Sequence, residues 1–189
     1  MKSSQITQSH SPVRQKFPFA ALAAALLLGA AVIGTRAEPG QDNRAPDVPP
    51  ALQVPDSNKV HFHAYAVGVQ IYTNDTAHSA WVFKAPEAVL FDADGSIVGI
   101  HYAGPTWESE SGSTVVGRAV TNAPVANTIP WLLLQARTTE GPGIFERTTY
   151  IQRVNTTGGR APSTPPMPSD VEVRVPYTAE YYFYRDTGK

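Results

Sequence analysis

The chain has 189 residues, no cysteine, and 15 basic against 16 acidic residues, which gives a net charge of −1. The lack of cysteine excludes disulfides, thiolate nucleophiles, zinc–thiolate sites and iron–sulfur clusters. Residues 1–37 contain four of the basic residues and no acidic residue. Without this segment the chain has a net charge of −5, which argues against nucleic acid or an anionic membrane surface as a partner.

The N-terminal segment has the profile of a signal peptide. Lys2, Arg14 and Lys16 precede an apolar run from position 17 to 34, and the run is followed by Thr35-Arg36-Ala37. A basic start, an apolar middle and small residues before a cleavage point are typical of export signals. We therefore expect residues 1–37 to be a signal peptide and the protein to be periplasmic or secreted. An uncleaved N-terminal membrane anchor is the alternative, and it would be the chain's only membrane contact.

Residues 38–55 contain five prolines among polar residues and are predicted to form a spacer. The remainder, residues 56–187, is predicted to be a single β domain. Cleavage after Ala37 would leave 152 residues, which is a sufficient length for one domain with its own core.

Short runs rich in β-branched and aromatic residues follow one another through this domain, separated by glycine, proline or polar residues. Asp94-Gly95 and Ser111-Gly112 are predicted hairpin turns. A bulge is predicted near 66–68, and the run 80–91 is predicted to form two short strands interrupted by Ala85-Pro86. The predicted strand regions are 59–72, 80–91, 96–102, 113–120, 129–136, 144–154, 171–175 and 177–184.

No segment after position 37 shows apolar residues at helical spacing over several turns. The prediction is therefore an all-β fold, a single antiparallel β-sandwich or barrel of about eight or nine strands.

Three histidines are candidate metal ligands. His61 and His63 form an H-x-H pair on a predicted strand, so both imidazoles should project from one face. With His101 from a neighbouring hairpin as the third ligand, they could bind a divalent metal ion. The alternative is a solvent-facing strand, or histidines that are hydrogen-bonded at the border of the core.

The stretch "HYAGPTWESESG" (101–112) combines Tyr102, Trp107 and Glu108 around a Gly-Pro break. Aromatic rings with polar tips suit a ligand with an apolar face, such as a sugar. The alternative is a corner, at which Trp107 closes the core and the glutamates are solvated. Glu108 and Glu110 come from one segment without an opposing carboxylate, so they make a weak glycosidase pair.

The C-terminal run "YTAEYYFYR" alternates between two faces. Tyr177, Ala179, Tyr181 and Phe183 are predicted to face the core. The other face, with Thr178, Glu180, Tyr182 and Tyr184, is predicted to be an exposed aromatic ladder that either binds a ligand or stabilises cross-strand pairs.

Six blocks of this sequence, in order, resemble the family known as domain of unknown function 3455, found in exported bacterial proteins and in fungi. The resemblance implies no established activity. Some fungal relatives are labelled malate dehydrogenase, but this chain has no G-x-G-x-x-G between a strand and a helix, so that activity is rejected. The blocks are "HAYAVGVQIY" (63–72), "WVFKAPEAVLFD" (81–92), "VGIHYAGPTWES" (98–109), "IPWLLLQA" (129–136), "TYIQRVNTTGGRAP" (149–162) and "VPYTAEYYFYR" (175–185).

The expected function is that of a non-enzymatic, exported β domain that binds an unidentified small molecule or an envelope or extracellular partner. Two alternatives stay open, a metal-dependent enzyme built on the three histidines and a structural protein of the envelope. No cofactor is expected, apart from a divalent metal ion if the protein is the metal-dependent enzyme. The candidate ligand-binding residues are Tyr65, Tyr102, Trp107, Glu108, Tyr182 and Tyr184.

Overall fold

The structure, a computed structural model, describes residues 43–188. The predicted signal peptide and the first part of the spacer lie outside this range. The described part contains a short 3-10 helix, Pro50–Leu52, and eight strands. They are β1 (Asn58–Asp75), β2 (Ala80–Phe91), β3 (Ile97–Tyr102), β4 (Thr106–Ser109), β5 (Thr114–Ala123), β6 (Trp131–Glu140), β7 (Thr148–Gly158) and β8 (Glu172–Asp186).

The eight strands form one antiparallel sheet in which each strand pairs with the next along the chain. The sheet closes on itself because β8 also pairs with β1, over the whole length from Asn58 to Thr73. This confirms the predicted all-β, antiparallel class, and the eight strands agree with the predicted count of about eight or nine. Within residues 43–188, no helix is long and apolar enough to span a bilayer.

Aromatic side chains fill the interior of the closed sheet. Phe145 and Phe183 have ring centroids 4.7 Å apart, and Trp107 lies 5.4 Å from Tyr181 and 5.9 Å from Phe183. The interior of a closed eight-stranded sheet is just wide enough to be filled by side chains or to hold one small ligand. In this chain the large rings take up the space around Phe183, so this part of the interior is a packed core.

Pro86 and Pro176 were predicted to lie between strands, but both lie inside strands. Pro86 is part of β2 and pairs with Gln70 of β1, but the pairing of β2 with β3 begins only at Ala88. Pro176 is part of β8 and pairs with Val69, beyond the last pair that β8 makes with β7. Each proline therefore lies just beyond the end of one of the two ladders of its strand, where the loss of an N–H is tolerated. The predicted break at Ala85-Pro86 is wrong.

The bulge predicted near 66–68 is also wrong, because β1 keeps its register there with both neighbours. The shifts lie at Val60/Phe62 against β8 and at Ile71/Tyr72 against β2. Small residues at the inward positions misled the sequence pattern. At Gly68 a Cβ atom would lie 2.1 Å from the Glu87 carbonyl oxygen, so the glycine permits a close approach of β1 and β2.

The end of the predicted spacer packs against the domain. Leu52 is completely buried. Its carbonyl oxygen accepts a hydrogen bond of 2.6 Å from Gln152 Nε2, and Gln152 Oε1 in turn accepts from the Tyr184 hydroxyl. The residues just before β1 are therefore anchored on β7 and β8 by polar and apolar contacts.

Candidate functional site

The candidate residues separate into an outer-surface group and an interior group. Antiparallel pairing places His63 opposite Tyr182 and Tyr65 opposite Glu180 on β1 and β8. These four side chains lie on the outer face, since the alternate residues Phe62, Ala64, Tyr181 and Phe183 are buried in the core. We call His63, Tyr65, Glu180 and Tyr182 the outer platform.

The rings of the outer platform contact one another directly. The imidazole of His63 stacks on the ring of Tyr182 with centroids 4.0 Å apart and planes at 12°. The ring of Tyr65 also contacts His63, with centroids 4.7 Å apart and planes at 52°. Cross-strand aromatic pairs of this kind stabilise a sheet and also hold the rings in fixed positions.

Glu180 is the polar centre of the outer platform. Its Oε2 atom accepts hydrogen bonds from His63 Nε2 at 3.0 Å and from the Tyr182 hydroxyl at 2.9 Å, and its Oε1 atom accepts from Asn155 Nδ2 at 3.0 Å. The bond from His63, with smaller contributions from Asn155 and Tyr182, lowers the pKa of the Glu180 carboxyl below its ordinary value. The platform therefore holds an ionised carboxylate in a fixed orientation.

Tyr65 is the most accessible ring of the outer platform, with 40% of its surface exposed. Its strand neighbours Ala64 and Ala66 are buried in the core, so the backbone that carries it is firmly held. An exposed ring on a rigid strand, beside a fixed carboxylate, is a suitable contact for a ligand that has both an apolar face and hydroxyl groups.

Tyr102 and Glu108 form a separate pair on the outer face of β3 and β4. The Tyr102 hydroxyl donates a hydrogen bond of 2.9 Å to Glu108 Oε2. Strand β2 lies between this pair and the outer platform. The two predicted ligand-binding residues are thus brought together with each other, but not with Tyr65 or Tyr182.

Trp107 and His101 belong to the core. Trp107 is 1% exposed and His101 is 2% exposed, and their rings stack with centroids 4.4 Å apart. The carbonyl oxygen of Thr106 lies 2.8 Å from His101 Nδ1, so this nitrogen must carry the proton. Burial lowers the pKa of His101 to about 3. The corner interpretation of "HYAGPTWESESG" is therefore the one that the packing supports.

The three histidines are not brought together. His101 is inside the closed sheet, while His63 is on the outer face with Glu180 as its partner. His61 is the extra residue of the β1 bulge, with its Nε2 atom 3.2 Å from Thr148 Oγ1. Burial, assisted by the charge of Arg185, lowers the pKa of His61 to about 4. Across residues 43–188 no cluster of three histidine or carboxylate side chains has the spacing to hold a metal ion.

Tyr184 does not continue the exposed ladder of β8. It is 3% exposed, and its hydroxyl donates to the side chain of Gln152, which is linked to Leu52. The alternation of β8 places Tyr184 on the outer face correctly, but the segment before β1 covers that part of the surface. Strand periodicity alone does not indicate such a cover.

An interior group of polar residues was not singled out from the sequence. Arg153 pairs with the inward-facing Tyr181 and is 8% exposed, and Gln70 is 2% exposed. A usable signal was present, because Arg153 has the same strand parity as the core residue Ile151. Alternation along "YIQRV" predicts an inward arginine once Ile151 is assigned to the core.

Fold and surface together define an all-β domain, a closed eight-stranded antiparallel sheet with an aromatic platform on its outer face. The chain belongs to the family described as protein of unknown function DUF3455, whose sequence model matches residues 55–185. The resemblance noted in the sequence is thereby confirmed. No curated protein matches the chain. No solved structure matches it either.

Proposed function

We propose that this protein is a non-enzymatic binding domain and that the outer platform holds its ligand, a compound with a flat apolar face and several hydroxyl groups, as a sugar ring has. The observation that carries the proposal is the exposed ring of Tyr65 next to the ionised carboxylate of Glu180. The ring offers a stacking surface, and the carboxylate accepts hydrogen bonds from hydroxyl groups.

The hydrogen bonding of Glu180 favours binding over catalysis. Both of its oxygens already accept bonds from protein donors, and the lowered pKa of the carboxyl makes it a weak base. Each carboxylate oxygen can accept more than one hydrogen bond, so ligand hydroxyls can be added without displacing His63 or Asn155.

Export belongs to the same proposal. The N-terminal sequence favours a periplasmic or secreted protein, and polysaccharides and glycosylated partners of the envelope or the extracellular space offer hydroxylated faces of the required kind. A partner protein that carries such sugars would use the same platform.

The direct test is a calorimetric titration of the protein with soluble oligosaccharides of glucose, of xylose and of N-acetylglucosamine. We expect one of them to bind, and we expect Tyr65→Ala to weaken that binding by about tenfold or more, which corresponds to about 1.4 kcal/mol. The reason is the loss of the stacking surface, while the buried neighbours of Tyr65 are unchanged.

Phe83→Ala is the matched control, because Phe83 is an aromatic residue with 51% exposure outside the platform. This variant should bind the oligosaccharide as the unchanged protein does. If none of the three sugars binds, or if both variants lose affinity equally, the proposed role of the platform is wrong and a structural role of the domain is favoured.

A further inference from the structure

The interior of the closed sheet contains a cation, Arg153, that has no carboxylate partner among residues 43–188. Arg153 is 8% exposed, and its Nε and Nη2 atoms donate hydrogen bonds of 3.3 and 2.8 Å to the carbonyl oxygen of Pro130. The ion pairs that the structure shows over residues 43–188 involve other side chains. One neutral carbonyl accepts two of the five N–H bonds of the guanidinium.

The groups around Arg153 are neutral. Tyr181 is the cross-strand partner of Arg153, and the Tyr177 and Tyr181 hydroxyls are 3.4 Å apart. Burial raises the pKa of both tyrosines, so neither hydroxyl supplies a negative charge at neutral pH. His101 is held neutral by its own burial.

A second buried donor in this neighbourhood also lacks an acceptor. Gln70 is 2% exposed and lies beside Tyr177 at Gly159, and its Nε2 atom makes no hydrogen bond of acceptable geometry among the described residues. A buried amide donor without a partner and a buried guanidinium without a counter-ion are each costly to maintain. Both costs fall if one negatively charged group accepts from both.

We propose that this end of the interior, formed by Arg153, Gln70, Tyr177 and Tyr181, binds a small anion such as a phosphate ion or the carboxylate of a small organic acid. Arg153 supplies the charge, and Gln70 and the tyrosine hydroxyls supply additional donors. Guanidinium groups can donate two hydrogen bonds to a pair of oxygens on either kind of anion. This site is independent of the outer platform, since its residues face the core.

The test is the melting temperature of the protein during separate titrations with sodium phosphate, sodium acetate and sodium chloride. Ionic strength is held constant with a bulky sulfonate salt. A bound anion stabilises the folded state, so we expect a saturating rise for at least one anion, of about 5 °C at a hundredfold excess over its dissociation constant. Saturation with acetate but not phosphate would identify the group as a carboxylate.

Two variants and one control locate the site. Arg153→Met should abolish the saturating rise, and the surface variant Arg118→Met should retain it. If Arg153→Met does not fold, Gln70→Met decides, because it keeps the side-chain volume and removes the unpartnered donor. We expect it to weaken anion binding by about tenfold, close to the value of one charge-assisted hydrogen bond.

Three results would overturn the proposal. One is a melting temperature that is independent of all three anions. The second is a rise that does not saturate and is equal in the Arg118 and Arg153 variants, which would indicate screening at the surface. The third is unchanged anion affinity in Gln70→Met where Arg153→Met does not fold.

Discussion

At the scale of single residues, His101 shows how burial determines the chemistry of a side chain. In the sequence it is one of three candidate metal ligands. In the structure it stacks on Trp107 and donates to the Thr106 carbonyl, and the surrounding core lowers its pKa to about 3. A histidine in this position is a neutral part of the core.

The stability of the protein should therefore fall as the pH is lowered from about 6.5 to 5. An unfolded chain protonates its histidines near pH 6.5. The folded protein does not protonate His101 or His61 in this range, because their pKa values are lowered to about 3 and about 4. Each proton taken up only on unfolding reduces the free energy of unfolding by about 1.4 kcal/mol per pH unit. Urea unfolding at several pH values measures this slope.

The His101→Phe variant isolates the contribution of one imidazole. Phenylalanine keeps a ring against Trp107 but binds no proton, so the slope between pH 6.5 and 5 should become shallower by up to that amount, whatever the variant's absolute stability. The control variant is His78→Asn, because the side chain of His78 is exposed to solvent and lies outside the core. An unaltered slope in His101→Phe would contradict the assignment of a neutral, buried imidazole.

At the scale of elements, the hairpin turns were predictable and the strand interruptions were not. Asp94-Gly95 connects β2 to β3 as predicted, because its turn chemistry is local. Gly95 has a φ of 81°, and Asp92 Oδ1 accepts bonds from the backbone of Asp94 and Ser96. The prolines were misjudged because their cost depends on whether a second strand lies alongside, which sequence does not show.

Gly68 illustrates the same dependence on a neighbouring strand, and Gly68→Ala should be strongly destabilising. The added Cβ atom would lie 2.1 Å from the Glu87 carbonyl oxygen and 2.5 Å from Ala88 Cα, so backbone atoms of β2 must move. We expect a loss of about 3 kcal/mol in the free energy of unfolding, at the upper end of overpacking costs. Chemical denaturation provides the measurement.

Gly95→Ala serves for comparison, because the position has open space around it and only the backbone conformation opposes a side chain. Its cost should be about 1 kcal/mol. Equal losses in the two variants would mean that the approach of β1 to β2 at Gly68 is not as tight as the structure shows.

At the scale of the whole molecule, the N-terminal sequence makes its own prediction. Expressed in a Gram-negative host, the full chain should be found in the periplasmic fraction with the mass of residues 38–189. Ala37→Lys should block processing, because a signal peptidase requires a small residue at this position. The product would then remain full-length and membrane-associated, and fractionation followed by mass spectrometry measures both outcomes.

Ala45→Lys, which introduces the same charge beyond the predicted cleavage point, is the control and should be processed normally. Cytoplasmic protein of full length in all three cases would contradict the export prediction.

The sequence by itself determined the strand class, the turns, the approximate number of strands and the family, because these depend on local alternation, turn chemistry and short blocks of residues. The inward face of β8, with Tyr177, Tyr181 and Phe183, followed from alternation in the same way. Only the tertiary structure decided which outward residues meet. Closure of the sheet pairs β8 with β1 and so places His63, Tyr65, Glu180 and Tyr182 on one surface, encloses Trp107, His101 and Arg153, and lets the segment at Leu52 cover Tyr184. These outcomes depend on contacts between residues that are far apart along the chain, such as His63 and Glu180 at a separation of 117 positions, and no local pattern contains that information.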